Sequence, residues 1–453
     1  MHRVRWLMII IVSTAITGWY FLFYKTYSRQ QLPASADMVL AIDVKKNTNN
    51  ILLWYLQHPS KWGMVFSKNK GMQGLVKNAL NIQDYLYFFH SAGQPATNIY
   101  CLLSVKEETA FKQLLTNLDF KEQGNSTGGK VYFSEKTGIG IIKKNKQVLV
   151  GNIDLKDLPM LHSVAAEVFI QQQFMANDLL KKITAPANDF TFYIKKAIIL
   201  KEDALLNGHL QNGQLVIEGN IKPAAGFELT EAPFEVPDSS LLTFAFTQPA
   251  PKTYALLTDS FKTKLSRIVN FSIDSLFSTT HKQYLLDMAS VKSRTDSALS
   301  YSFDDNFNKV EKLVVNQVQE PSFNVTVAGG EPQKLYNYWK QHRLIEENSS
   351  GNLFTPFPFV KTYAYVTTDS LLLTSNNYQA AKNTRQVTCI GNLCIRTDLL
   401  PGNAAALLPY FMVPVIQKIR FVNIIAIKEN NGVQLKVTVL TNSPTLPFLS
   451  GIQ

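Results

Sequence analysis

An uncharged apolar stretch near the start of this chain, from Trp6 to Tyr24, constrains the fold more than any other sequence feature. It follows a basic beginning that contains Arg3 and Arg5. At 1.5 Å of rise per helical residue, a stretch of this length spans roughly 28 Å, close to the hydrocarbon thickness of a bilayer. The stretch therefore predicts a single helix that anchors the chain in a membrane.

Two other interpretations of Trp6–Tyr24 are a cleaved signal peptide and a buried core helix. A signal peptide normally has a shorter apolar core that meets a small-residue cleavage site directly. Here Lys25 and Arg29 follow the apolar stretch, and Ala34-Ser35-Ala36 comes only later. The anchor is favoured, which predicts an inner-membrane protein with one span and its bulk on the periplasmic side. Arg3 and Arg5 favour this orientation, although Lys25 and Arg29 partly balance them.

Composition predicts a folded body after the anchor. The chain is 46% hydrophobic and 17% charged, and the charged share is below the usual quarter. The 453 residues suffice for two ordinary domains beyond the anchor. The net charge is +11, but no dense basic run interleaved with aromatic residues occurs, so a nucleic-acid partner is not expected.

Three cysteines are present, and two lie close together. Cys389 and Cys394 flank Gly391-Asn392, a pair typical of a two-residue hairpin turn. In that hairpin the two cysteines would lie directly opposite each other, within reach of a disulfide. Free thiols, or a redox or metal role, are the alternatives. Because no histidine lies nearby in sequence, no metal site is expected.

Segments that match in order indicate an internal repeat. Residues 32–42 parallel 236–246 at an offset of 204, each with a proline, a small polar turn and an apolar strand. Residues 99–115 parallel 323–339 at an offset of 224, and a closing hairpin near residue 213 recurs at an offset of 219. The alternative is two unrelated stretches that share common strand-turn patterns. The repeat predicts an anchor and tether over 1–31, a first unit over 32–225 and a second over 226–453.

Helical spacing of apolar residues predicts a helix within Asp154–Lys182 and another within Tyr254–Ser278. Short turns between strands indicate antiparallel or mixed sheets covered by helices on one face. The predicted fold class is α+β, with an N-terminal transmembrane helix followed by two tandem, duplicated α+β units.

The layout resembles a group of uncharacterised bacterial envelope proteins of the Bacteroidetes type. The resemblance rests on a membrane span followed by Leu32-Pro33-Ala34-Ser35-Ala36-Asp37, with Val236-Pro237-Asp238 recurring near mid-chain. Such proteins have a single span and duplicated α+β units outside the inner membrane. The resemblance implies an envelope location and transfers no catalytic residue.

Two sequence motifs suggest chemistry without the context that it requires. Residues 124–130 spell GxxxxGK, but they follow a predicted helix and precede a strand, the reverse of a phosphate-binding loop. Ser67 with Lys70, and Lys136-Thr137-Gly138, match fragments of serine penicillin-binding enzymes, but the intervening chain is too short for that fold. Neither a nucleotide nor any other cofactor is expected, and an enzyme is the less favoured class.

The aromatic residues Phe354, Phe357 and Phe359 are the candidate binding residues. They form either an exposed recognition ridge or a strand entry that packs the second unit. The sequence thus favours a membrane-anchored, non-catalytic envelope scaffold that engages a protein or polymer partner. The alternatives are an envelope hydrolase of peptide or glycan, with a site between the halves, and an assembly or folding factor.

Overall fold

A computed structural model describes most of the chain after its first thirty residues. The described residues are Lys25, 31–58, 70–95, 97–126, 128–185, 187–196, 200–224, 229–248, 259, 262–263, 266–267, 271–272, 274, 283–303, 307–349, 351–357, 360–380, 383–400, 417–430 and 432–444.

Contacts between α-carbons divide the described chain into two compact units. The first holds the residues up to Gln211 together with Ile217–Asn220, and the second holds Asn212–Val216 and the residues from Ile221 onward.

The first unit is built on antiparallel strands with helices beside them. Its strands, up to the hairpin that closes it, are β1 (Ala36–Asp43), β2 (Leu80–Asn81), β3 (Tyr85–Ser91), β4 (Ile99–Val105), β5 (Lys121–Ser126), β6 (Gly129–Ser134), β7 (Ile139–Lys144), β8 (Gln147–Asn152), β9 (Phe190–Ile194), β10 (Ala204–Gln211) and β11 (Gln214–Ile221). Its helices are α1 (Val44–Gln57), α2 (Lys70–Ala79), α3 (Glu108–Asn117), α4 (Leu158–Ala166) and α5 (Asn177–Ile183), with a 3-10 turn at Leu155–Asp157 and a π turn at Glu167–Gln171.

The strand order of this sheet is β10–β9–β1–β3–β4–β8–β7–β6–β5, and every pairing is antiparallel. Alternation along the strands decides which face is buried. In β3, Tyr85, Tyr87 and Phe89 all point into the core, because alternate side chains share one face of a strand. Leu161 and Val164 of α4 join the same core cluster.

The second unit is also dominated by strands. They are β12 (Ala232–Pro237), β13 (Leu242–Thr247), β14 (Gln283–Phe303), β15 (Lys309–Ala328), β16 (Ile345–Asn348), β17 (Gly351–Phe354), β18 (Thr362–Val366), β19 (Ser370–Ser375), β20 (Thr384–Cys389), β21 (Gly391–Ile395), β22 (Ile419–Glu429) and β23 (Gly432–Thr441), with the helix α6 (Pro332–Gln341) and a 3-10 turn at Thr397–Leu399. Strands β12 and β20 form a separate two-stranded sheet.

The main sheet of the second unit has the order β23–β22–β21–β13–β14–β15–β19–β18–β17–β16, again antiparallel throughout. From β22 onward this order corresponds strand by strand to that of the first unit. Helix α6 follows β15 as α3 follows β4. Both helices bury one apolar side, with Phe111 and Leu114 in α3 and Leu335 and Trp339 in α6.

The predicted fold class is wrong. Strands make up 53% and helices 21% of the structure, so the fold is mostly antiparallel sheet. The long helix predicted within Asp154–Lys182 is broken: α4 passes into a π turn, and Gln172 then adopts a left-handed backbone conformation with φ 53°. The second predicted helix, Tyr254–Ser278, lies largely outside the described residues.

The predicted membrane span Trp6–Tyr24 also lies outside the described residues. Across the part of the chain that the structure describes, no helix is long and apolar enough to cross a membrane. The longest, α1, has 14 residues, or about 21 Å, against a hydrocarbon core of about 30 Å. The predicted transmembrane helix and single-pass inner-membrane location are therefore not supported and are withdrawn.

The predicted disulfide is wrong, because Cys389 and Cys394 are both free and buried. The expected hairpin does not form. Instead the chain runs from β20 through Ile390 directly into β21, and β20 pairs with β12 while β21 pairs with β13 and β22. Successive residues of an extended chain lie about 3.3 Å apart, so cysteines five positions apart are not brought together as a hairpin would bring them.

Candidate binding surface

Strands β14 and β15 form a hairpin much longer than the sheet that contains its base. Only Gln283–Met288 of β14 pair with β13, and only Asn324–Ala328 of β15 pair with β19. Beyond these positions the two strands pair only with each other in the described part of the chain. At about 3.3 Å per residue the free part extends for about 45 Å. We call residues 289–322 the arm.

One face of the arm carries a row of exposed apolar side chains. Leu299 lies directly opposite Leu313, and Tyr301 and Val315 lie one pair to either side on the same face. Their side chains are 64%, 62%, 52% and 59% exposed, in that order. We call these four residues the apolar row. Single exposed apolar residues are ordinary on a protein surface, but a contiguous row marks an interaction site.

The opposite face of the arm carries charged side chains together with Val310, Val314 and Val318. Cross-strand pairs there include Lys292 with Glu320 and Ser300 with Lys312. Arg294 lies one pair further along, and its guanidinium Nε lies 3.5 Å from a carboxylate oxygen of Glu320. The two faces therefore differ in degree: the leucine pair and Tyr301 lie on the first, and the pair of Lys292 with Glu320 lies on the second. Such a hairpin would normally lay its apolar face on a core, but here that face is open.

The tip of the arm carries a further exposed aromatic residue. Phe307 is 86% exposed and has φ 60°, a left-handed conformation that is unfavourable for a bulky residue. Close to the tip, the Lys309 ammonium lies 3.7 Å from the centre of the Tyr301 ring. This cation–π contact holds Tyr301 in place at one end of the apolar row.

The base of the arm is fixed by hydrogen bonds from both of its strands to residues 375–378. Ser322 Oγ donates to the Asn377 carbonyl at 3.0 Å, and Lys292 Nζ donates to the same oxygen at 3.2 Å. The Phe323 amide donates to Ser375 Oγ at 2.9 Å. An arm held in this way points in a defined direction, which reduces the entropy lost when a partner binds.

A buried polar pair reinforces the base. The Tyr378 hydroxyl donates to Asp287 Oδ2 at 2.6 Å, and Asp287 is buried in the centre of the sheet. Burial, together with the hydrogen bond to the Asp287 carboxylate, raises the pKa of Tyr378 above its ordinary value. Tyr378 therefore stays neutral and remains a donor over the physiological pH range.

The first unit has a short turn where the second has the arm. Strands β3 and β4 are joined by residues 92–98. His90 closes this turn: its Nδ1 lies 2.6 Å from Asp37 Oδ1, and its Nε2 lies 3.2 and 3.1 Å from the carbonyls of Gln94 and Pro95. Both ring nitrogens therefore have hydrogen-bond partners in or next to the turn. The turn is thus tied back onto its own sheet.

A polar groove of about 680 Å³ lies beside that turn. Glu167 is the one carboxylate among the residues that line this groove. It already accepts hydrogen bonds from the Ser35 amide at 2.8 Å and from the Ser35 hydroxyl at 2.5 Å. The Ser35 hydroxyl also lies 2.9 Å from that of Ser91. Because these polar groups already bond to one another, they are less available to bind a ligand. The groove is therefore a weaker candidate binding site than the arm.

The predicted binding residues lie elsewhere in the second unit. Phe354 is buried, with its ring 5.2 Å from those of Trp339 and Phe357, so its side chain packs in the core rather than on the surface. Phe357 is partly buried against the same cluster. Phe359 lies outside the described residues.

The arm is not among the sequence predictions, although its residues show the pattern of two strands. From Ala298 to Phe303 the chain alternates small residues with Leu299, Tyr301 and Phe303, which is the two-residue period of a strand. The segment Lys309–Ala328 has β-branched residues throughout, also typical of a strand.

No family model matches the chain, and no curated protein matches it. Among solved structures, crystal form III of TP0453 aligns at 11% identity and a TM-score of 0.29, covering 54% of this chain and 87% of that one. Crystal form I of TP0453 aligns at 12% identity and a TM-score of 0.28, covering 55% and 87%. Likeness at this level supports no conclusion about fold or function.

Proposed function

We propose that this protein is a non-catalytic binding protein that engages another polypeptide through the arm of its second unit. The observation that carries the proposal is the apolar row, in which four side chains lie side by side and each is more than half exposed. Burial of apolar area stabilises an interface by about 25 cal/mol per Å² before the costs of association. A partner that covers the row therefore gains binding energy.

The chemistry of the row favours a polypeptide over other ligands. Leu299, Leu313 and Val315 are aliphatic, and Tyr301 adds an aromatic ring with a polar end. Apolar side chains rimmed by polar ones are typical of the centre of a protein interface. A nucleic acid would need a basic surface, whereas the arm mixes both signs of charge.

The unpaired edges of the arm provide a second means of binding. Beyond Met288 and Asn324 each strand has one edge without a neighbour in the described residues. Such an edge presents unpaired amide and carbonyl groups, to which an added strand can bond. Main-chain bonds would supply affinity, and the apolar row would select the side chains of the partner.

A photo-crosslinking residue placed at position 299 in the full chain tests the proposal in cells. We expect crosslinks to polypeptide from position 299, and few from position 296, which lies on the opposite face of the same strand. Equal yields from the two positions, or none from either, would overturn the proposal.

The first unit offers a matched control for loss of the arm. Replacing residues 289–322 with residues 92–98 gives the second unit the turn that the first unit uses between the corresponding strands. We expect this variant to unfold cooperatively near the wild-type temperature and to stop co-purifying with the polypeptide that position 299 crosslinks in the intact chain. A variant that keeps its partner without the arm would contradict the proposal.

A further inference from the structure

We propose that the partner of the arm is a second copy of this chain, and that the two arms pair along the edge of β14 over Ser297–Phe303. This inference rests on the proposed function and names the partner. In the described residues this edge has no neighbouring strand. A strand that pairs antiparallel with its own copy makes a closed two-fold contact, which needs no other component.

The segment Ser297–Phe303 lacks the features that normally protect an edge strand. It reads Ser-Ala-Leu-Ser-Tyr-Ser-Phe, without a charge, a proline or a glycine. At the same level of the arm, the edge of β15 carries Lys309, Glu311 and Lys312. Charged residues on an edge discourage the addition of another strand. Of these two edges, that of β14 is therefore the one open to pairing.

The register centred on Ser300 places an aliphatic side chain opposite an aromatic one on each side of the two-fold axis. Ser300 then lies opposite Ser300 of the second copy, and Leu299 lies opposite Tyr301 of the second copy. Because opposite residues share a face, the two apolar rows become one patch across the joined arms. An aliphatic residue opposite an aromatic one is a favourable cross-strand pair.

Charge also favours contact between copies at the arm. The whole chain carries +11, so two copies repel each other in general. Residues 289–322 are almost neutral, with four basic residues (Lys292, Arg294, Lys309, Lys312) against five acidic ones (Asp296, Asp304, Asp305, Glu311, Glu320). The positive charge that opposes association of two copies is therefore not concentrated on the arm.

The expected dimer is weak. Pairing two seven-residue edges buries an area near or below the roughly 1,000 Å² that marks a stable interface. The contact should therefore form at high protein concentration and dissociate on dilution, and analytical ultracentrifugation of the purified full chain would follow it.

Symmetric cysteine crosslinking tests the pairing and its register. Under mild oxidation Ser300→Cys should form a disulfide-linked dimer, because the two α-carbons at the axis come within disulfide range. Lys312→Cys is the matched control, since Lys312 is the cross-strand neighbour of Ser300 on the far edge of the arm. Equal crosslinking of both variants, or crosslinking of Lys312→Cys alone, would overturn the proposal.

A charge exchange at the same position provides a second test. Ser300→Lys and Ser300→Glu each place like charges opposite at the axis and should raise the dissociation constant by up to about fivefold. A mixture of the two variants should recover the dimer. A purified chain that stays monomeric at all concentrations, with position 299 crosslinked in cells to a different polypeptide, would overturn self-pairing and leave the proposed function standing.

Discussion

Leu299 lies directly opposite Leu313 across the arm, and both side chains are more than 60% exposed. By contrast, the cross-strand pair of Phe89 in β3 and Tyr100 in β4 is buried. In the isolated chain this leucine pair exposes apolar surface to water, which is unfavourable. The pair contributes favourable free energy only when a partner buries it.

Substitution of these leucines should separate binding from stability. We expect Leu299→Ala and Leu313→Ala to change the free energy of unfolding by no more than about 0.5 kcal/mol, because exposed positions contribute little to it. The buried residue Leu371 is the matched control, and Leu371→Ala should cost about 2–5 kcal/mol. Urea denaturation measures all three. A large loss from either arm variant would show that the row packs within the chain.

Tyr378→Phe should weaken the base of the arm. It removes the hydroxyl that donates to the buried Asp287 carboxylate, and loss of a partner for a buried polar group costs about 1–3 kcal/mol. Tyr365→Phe is the control, since Tyr365 is half exposed and should cost almost nothing. Equal denaturation midpoints for the two variants would contradict the role given to Tyr378.

Alkaline pH should act on the same group. The pKa of Tyr378 is raised in the folded chain, so the folded state favours the neutral phenol. Its contribution to stability is then complete below the unfolded pKa of about 10 and is lost as pH rises further. We expect the wild type to lose more stability than Tyr378→Phe as the pH is raised above that value, which thermal melts across a pH series would detect.

The thiols should be unreactive in the folded chain. Burial raises the pKa of Cys101 to about 12, and burial with the nearby charge of Glu231 raises that of Cys389 to about 11. Because the thiolate is the reactive form, a thiol reagent at pH 8 should react slowly until denaturant is added. It should then detect all three cysteines of the sequence.

Two results would test this expectation. The variant Ser300→Cys adds an exposed thiol that should react at once, which confirms that the reagent works. Recovery of a single thiol after denaturation would instead reveal a disulfide between Cys389 and Cys394.

His90→Ala should destabilise the short turn of the first unit. It removes the ring nitrogens that contact Asp37 and the Gln94 and Pro95 carbonyls, at a cost of about 1–3 kcal/mol. His342 is exposed on its helix end, so His342→Ala should change stability by less than about 0.5 kcal/mol. Hydrogen exchange should also rise in residues 92–98 of His90→Ala alone.

The offsets of the internal repeat contain a sign of the arm. Residues 32–42 match 236–246 at an offset of 204, whereas residues 99–115 match 323–339 at 224. The step of 20 residues falls between those segments. There the arm has 34 residues against seven in the corresponding turn of the first unit, and the rest of the interval is seven residues shorter in the second unit. A change in offset is a sequence sign of an insertion, and here the insertion is the candidate binding surface.

Other features could not be predicted from local patterns. Gly391-Asn392 has the composition of a hairpin turn, but β20 and β21 continue one another because each finds partners far away in sequence, in β12 and in β13 and β22. Likewise, the aromatic character of Phe354 suits either a surface or a core. Its contact with Trp339, which lies on a helix fifteen residues earlier, places it in the core.

The charges on β15 have a consequence for stoichiometry. If two arms join along β14, the outer edges of the combined sheet are the two copies of β15, which present Lys309, Glu311 and Lys312. A third arm would have to add beside these charges, which edge strands use to prevent further pairing. The first unit has only its short turn at the corresponding place, so each chain supplies one such arm. Assembly through the arms would therefore stop at a dimer. The charged edge of β15 would keep a protein with one open strand edge from forming a fibre.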